Sequence, residues 1–81
     1  MRERVASIEL DGGKGRGIVC IEERPTYAGD RTKWIVRIEL PNGTVKYPAI
    51  AASPSRADAI SRIDLAYRRG PWDLVFEPSL A

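Results

Sequence analysis

Few residues in this chain have the types and spacing to do chemistry, and no two sets point the same way. Glu22 and Glu23 are adjacent carboxylates. General acid–base work needs two groups converging on one substrate. Neighbours in a strand point to opposite faces, so this pair reads as solvated strand-end charge. Ser53, Ser55 and Ser61 supply hydroxyls, but there is no histidine to activate one and no Ser-Lys signature. Cys20 is the only cysteine. It cannot form an intrachain disulfide, and it reads as a small buried hydrophobe in mid-strand, in a reducing cytosol. One thiol without histidine leaves no structural zinc site. Gly12-Gly13-Lys14-Gly15-Arg16-Gly17 superficially resembles a phosphate loop. It lacks the Gly-Lys-Ser/Thr ending, and a strand follows it where a helix N-terminus is required. The expectation is therefore no catalytic residue, no cofactor and no metal, and a protein that is not an enzyme.

The remaining candidates are binding surfaces. Thirteen basic and 11 acidic residues give a net charge of +2, interleaved without a basic block, which is too balanced to announce nucleic acid. Two faces are nevertheless candidates. The outer face of the sheet is expected to carry Lys33, Ile35, Arg37, Glu39 and Lys46, and strand-borne cations can enter a major groove. Lys14 and Arg16, on the hairpin tip, would add to a polyanion contact. The outer face of the helix is expected to carry Arg62, Leu65 and Arg69, a leucine ringed by arginine that suits a protein contact. The ordinary alternatives are a solvated mixed-charge face and a singly exposed leucine.

These residues must be held by a small scaffold. At 81 residues the chain is read as one domain, 1–81, which buries about 60% of the surface its unfolded form exposes. A hydrophobic content of 43% beside 30% charged residues fits a globular protein. No apolar run approaches a membrane span. Met1-Arg2-Glu3-Arg4 is followed by no signal core. The expected location is cytoplasmic, with no membrane association and no small-molecule substrate.

Alternation predicts strands over Arg4–Leu10, with Ala6, Ile8 and Leu10 on one face and Val5, Ser7 and Glu9 on the other, and over Gly17–Glu23. Arg24–Thr32, with Pro25, Gly29 and Asp30, reads as a mobile connector. Trp34–Ile50 reads as a hairpin about a type I′ turn at Asn42-Gly43. That register opposes Leu40 to Val45, Ile38 to Tyr47, Val36 to Ala49 and Glu39 to Lys46. A competing turn, with Pro41 second and Gly43 as a bulge, pairs Leu40 with Thr44 and gives up that agreement. Ser53–Arg69 reads as a helix. Ser53 is its cap, Pro54 its first residue, Arg68 and Arg69 its last turn, and Gly70 a left-handed stop before Pro71. Ala59, Ile60, Ile63, Ala66 and Tyr67 form its apolar face. Asp58 with Arg62, and Asp64 with Arg68, are i,i+4 pairs. Trp72–Glu77 closes as a strand with Trp72, Leu74 and Phe76 inward. The order β-β-β-β-α-β predicts an α+β fold, a mostly antiparallel sheet of about five strands with one helix on one face and the other face wet. Strand order is left open.

Two resemblances follow from these residues. Lys33–Arg69, with Trp34 opening a strand, the Asn42-Gly43 turn, and an alanine-rich helix with Ala57, Ala59 and Ile60, resembles the arm-type DNA-binding domain of phage tyrosine integrases. That resemblance implies sheet-in-groove DNA binding through Lys33, Arg37 and Lys46. The strand after the helix and Glu39 on the sheet face depart from the pattern. The whole chain, by its length, lone α+β domain and Gly70-Pro71-Trp72 turn into a last strand, resembles the small phage-encoded type I anti-CRISPR inhibitors. That likeness of type transfers no functional residues. It implies stoichiometric binding to a CRISPR-Cas surveillance subunit. The expected function is thus a non-catalytic, protein-binding inhibitor from a phage or mobile element, with a small DNA-binding module as the alternative.

Overall fold

The computed structural model describes residues 1–10, 13–26 and 31–80. Five strands and one helix run in the order β1 (Arg2–Glu9), β2 (Arg16–Pro25), β3 (Thr32–Glu39), β4 (Val45–Lys46), α1 (Arg56–Tyr67) and β5 (Val75–Phe76). A short 3₁₀ turn, Pro78–Leu80, follows. The sheet order is β4-β3-β2-β1-β5, with every pairing antiparallel. The chain is an α+β domain with one helix on one face of the sheet. Helix α1 carries the chain from the β4 margin to the opposite one, where β5 pairs with β1. The expected connector over 24–32 is shorter than its sequence implies, because β2 continues to Pro25 and β3 begins at Thr32. Its centre, 27–30, lies outside the described residues, as do positions 11 and 12 of the first hairpin tip.

The core is the apolar stripe of each element laid against its neighbours. Val19 and Ile21 of β2 oppose Ile38 and Val36 of β3. With Val5, Ala6, Ile8, Ala59, Ile63 and Tyr67 they form one buried cluster. Trp72, Leu74 and Phe76 pack against it, with Val75 turned outward, as the alternation predicts. Strict alternation fails in β1. Arg4 opposes Cys20 while Ala6 opposes Val19, so Val5 is an extra residue. This β-bulge places Val5 in the core beside Ala6, both fully buried, and corrects the expectation that Val5 shares a face with Ser7 and Glu9.

The second hairpin takes the competing turn. Leu40 N–H donates to Thr44 O at 2.8 Å and Gly43 N–H to Leu40 O at 3.0 Å. Gly43 alone in the turn has positive φ, +88°. Pro41 fixes the φ that a type I turn needs at its second residue, and Gly43 supplies the left-handed bulge. The register shifts accordingly: Ile38 opposes Lys46 and Glu39 opposes Val45. The expected pairings Leu40–Val45, Ile38–Tyr47, Val36–Ala49 and Glu39–Lys46 do not form. Strand β4 stops after two residues. Trp34 instead bridges to Ser53.

The helix begins later than its sequence suggests. Ser55, not Ser53, is the N-cap, its side chain accepting from Asp58 N–H at 3.1 Å. Arg68 is the C-cap, its N–H donating to Asp64 O at 2.9 Å, and Arg69 lies beyond the helix. Ala59, Ile63 and Tyr67 are buried as the pattern predicts, but Ala66 is exposed. Gly70 is not left-handed. Its role is close approach: a Cβ there would lie 2.6 Å from Trp72 Nε1.

Candidate functional site

Residues directly opposite one another in antiparallel strands share a face, so the register sorts the basic candidates. Arg37 opposes Cys20, Lys33 opposes Arg24, and Arg2 opposes Glu22, all on the face away from α1. Lys46 opposes Ile38, a core residue. It therefore lies on the helix side, which corrects its expected place beside Lys33 and Arg37. The five cations proposed for nucleic acid do not form one surface.

The outer sheet face is a lattice of internal ion pairs. Arg2 and Arg37 each reach Glu39 at 3.4 Å. Arg4 meets Glu77 at 2.6 Å, Arg16 meets Asp73 at 3.0 Å, and Arg24 meets Glu22 at 2.9 Å. Arg16 also donates to the Ser7 hydroxyl at 3.1 Å, tying β2 across β1 to the approach of β5. The Arg37 side chain is only 13% exposed, and its Nε is buried without a partner. Arg24 stacks over Tyr47 with its guanidinium 5.7 Å from the ring centroid, which is where Tyr47 goes instead of facing Ile38. Cys20 lies beneath this layer, flanked by Arg4 and Arg37, and is buried. Desolvation raises its thiol pKa, and the nearby Glu39 carboxylate adds to the rise. Arg37 is largely covered, while Arg2, Arg4, Arg16 and Arg24 keep 38–56% of their side-chain surface exposed, so the face stays open to water around its ion pairs.

Of the candidates on the helix, Arg62 is half-buried and Leu65 exposed, while Arg69 is exposed beyond the C-cap, so the three do not share one helix face. Leu65 is 77% exposed. Arg62 is held by Asp58 at 2.8 Å, and Arg68 by Asp64 at 2.6 Å, as the i,i+4 spacing predicts. Arg56 at the helix start donates to Glu3 at 2.7 Å. That hydrogen bond holds the Glu3 carboxyl below its ordinary pKa against a smaller opposing effect of burial.

A third surface is formed where the hairpin tips approach the helix. Between the two hairpin tips and the end of α1 is an open cleft of about 410 Å³. Ile8, Ile38, Leu10 and Leu40 make its apolar floor, and Tyr67 and Trp72 its aromatic wall. The two rings meet edge to face, centroids 5.7 Å apart at 88°. Lys14 and Lys46 complete the lining. Each of the ion pairs among the described residues uses an arginine, so neither cleft lysine has a described carboxylate in contact. The shifted hairpin register creates this arrangement by bringing Lys46 to the helix side. The sequence offered one signal for it, the Pro41 that selects that turn.

A second groove, about 480 Å³, lies between α1 and the last turn, over Ile60, Phe76 and Leu80. Its acidic groups, Asp64 and Glu77, already hold Arg68 and Arg4. Among the described residues no three His, Cys, Asp or Glu side chains gather as a metal site, and no helix is long and apolar enough to cross a membrane. No protein-family model, curated protein or solved structure matches the chain.

Proposed function

We propose that this chain is a non-catalytic protein-binding module that acts by occupying a partner, in the manner of a stoichiometric inhibitor. The observation that carries the reading is the distribution of charge. Each of these sheet arginines is ion-paired with one of the chain's own carboxylates, while an apolar cleft open to solvent holds two lysines with no described partner. Buried apolar anchors with a polar rim are the usual anatomy of protein recognition. The exposed Leu65 on α1 offers a second, smaller apolar contact.

The DNA-binding alternative finds less support. Lys33 and Arg37 stand on one face and Lys14 and Lys46 on the cleft, and Arg37 would have to leave Glu39 to reach a phosphate. A gel shift at low salt, where phosphate contacts are strongest, is expected to show no complex at micromolar protein.

The inhibitor reading is tested by capture of the tagged full chain from cells expressing a type I CRISPR surveillance complex. Recovery of one subunit in near-equal amount supports it. Recovery of no protein from several such complexes overturns the anti-CRISPR form, and recovery of no stoichiometric protein from any host overturns protein binding altogether.

A further inference from the structure

We infer that the cleft between the hairpin tips and the end of α1 docks an acidic peptide segment of a partner protein, which inserts one bulky apolar side chain over Leu10, Leu40 and Trp72. The inference rests on the protein-binding reading and names its site and the chemistry of its partner. Leu40 and Trp72 pack on the core but, like Leu10, are only half-buried, so each leaves apolar surface in the cleft. At about 410 Å³ the space is at the small end of ligand pockets, the size for an anchor residue and not for a folded element. Its wall is preformed: Trp72 is fixed by the edge contact with Tyr67 and by the bare Cα of Gly70. Little ordering cost then falls on binding.

Charge selects the partner. Lys14 stands on the β1–β2 hairpin tip and Lys46 on β4, so the two cations approach the apolar floor from different elements. The second groove has the opposite character, with its carboxylates already neutralised. An anchor flanked by Asp or Glu would place its side chain on the floor and its charges at the lysines, an attraction that salt screens. A nucleic acid would bring charge but needs an open ring face for stacking. Four of the six apolar lining residues are aliphatic and Tyr67 is buried, which leaves Trp72 alone to offer a ring to a base.

The test is selection of random dodecapeptides displayed on phage against the full chain, with the best peptide mapped by amide chemical shifts. The expected peptides carry Phe, Trp or Leu flanked by Asp or Glu. Their shifts should centre on Leu10, Lys14, Leu40, Lys46 and Trp72, and their affinity should fall at least tenfold in Lys14→Glu/Lys46→Glu and several-fold in Lys14→Gln/Lys46→Gln. The neutral variant decides the matter if the charge-reversed one fails to fold. Peptides that are not acidic, shifts centred on Leu65 or the sheet arginines, affinity unchanged in the variants, or cleft shifts produced by a single-stranded oligonucleotide in place of peptide would each overturn the inference. Selection of nothing overturns it too. If capture still returns a stoichiometric protein in those cases, the protein-binding reading survives the loss of the cleft; if it does not, both fall.

Discussion

Ser53 and Trp34 exchange two backbone hydrogen bonds, each 2.8 Å long, so the residue that looks like a helix cap is instead a rung beside β3. The cap is Ser55, two positions on. Ser53 is buried and its hydroxyl oxygen has no partner. The two serines therefore respond oppositely to truncation. Ser55→Ala is expected to cost about 1 kcal/mol, the usual loss for a removed cap. Ser53→Ala removes an unsatisfied buried hydroxyl, keeps both backbone bonds, and is expected to be neutral or stabilising by up to about 1 kcal/mol. Urea denaturation of the two variants reads the sign directly.

Acid should release the tie between β1 and α1. The Glu3 carboxyl is held below its ordinary pKa by Arg56. A group with a depressed folded value contributes stability that is complete above its unfolded value and is lost as pH falls through the folded one. Glu3→Gln is thus expected to be less stable than the parent at neutral pH. The difference should shrink once the pH drops below the ordinary glutamate range and vanish in strong acid. Melting temperatures of the pair across that window check it. A constant difference at every pH would show that packing, not ionisation, is responsible.

Core and surface on the same helix should separate cleanly. Ile63 is fully buried and Leu65 is 77% exposed. Ile63→Ala should cost about 2–5 kcal/mol through lost transfer energy and a residual cavity. Leu65→Ala should stay within about 0.5 kcal/mol. A large loss at Leu65 in the isolated protein would mean that the residue packs within the fold and does not face a partner.

Cys20 should behave as a burial reporter. Its side chain lies under the arginine layer and its thiol pKa is raised by desolvation, and only the thiolate is reactive. A disulfide reagent at neutral pH is expected to modify the native chain many-fold more slowly than the urea-unfolded chain. The rate should climb along the unfolding transition. Fast labelling of the native protein would show the arginine layer to be open.

What the sequence made legible, and what it hid, follow one physical line. Periodicity is a property of single elements, and it located the three long strands, the helix and the inward set Trp72, Leu74 and Phe76. Pairing is a property of two elements, and there the pattern misled. In the second hairpin, matching apolar residues and matching Glu39 to Lys46 favoured one register, yet the covalent restriction at Pro41 favoured the other. Glu39 found Arg2 and Arg37 instead. The bulge at Val5 is similarly silent in β1 alone, because it exists only against Arg4, Ala6 and their partners on β2. The cleft was illegible for the same reason: its lining comes from the ends of β1 and β3, the first hairpin tip, β4, α1 and the approach to β5, and Lys46 reaches it only through the shifted register.

The pairing of β5 with β1 has a kinetic consequence. Strands β1, β2 and β3 follow one another and can zip by short closures, but the Arg4–Glu77 contact spans 73 positions. Loop closure of that length must be met before any reward arrives. The meander is therefore expected to nucleate first, with the tail arriving last, and excursions from the native state should begin by peeling Val75–Phe76 away. Amide exchange fastest along that margin and slowest along β2 would trace the order in reverse.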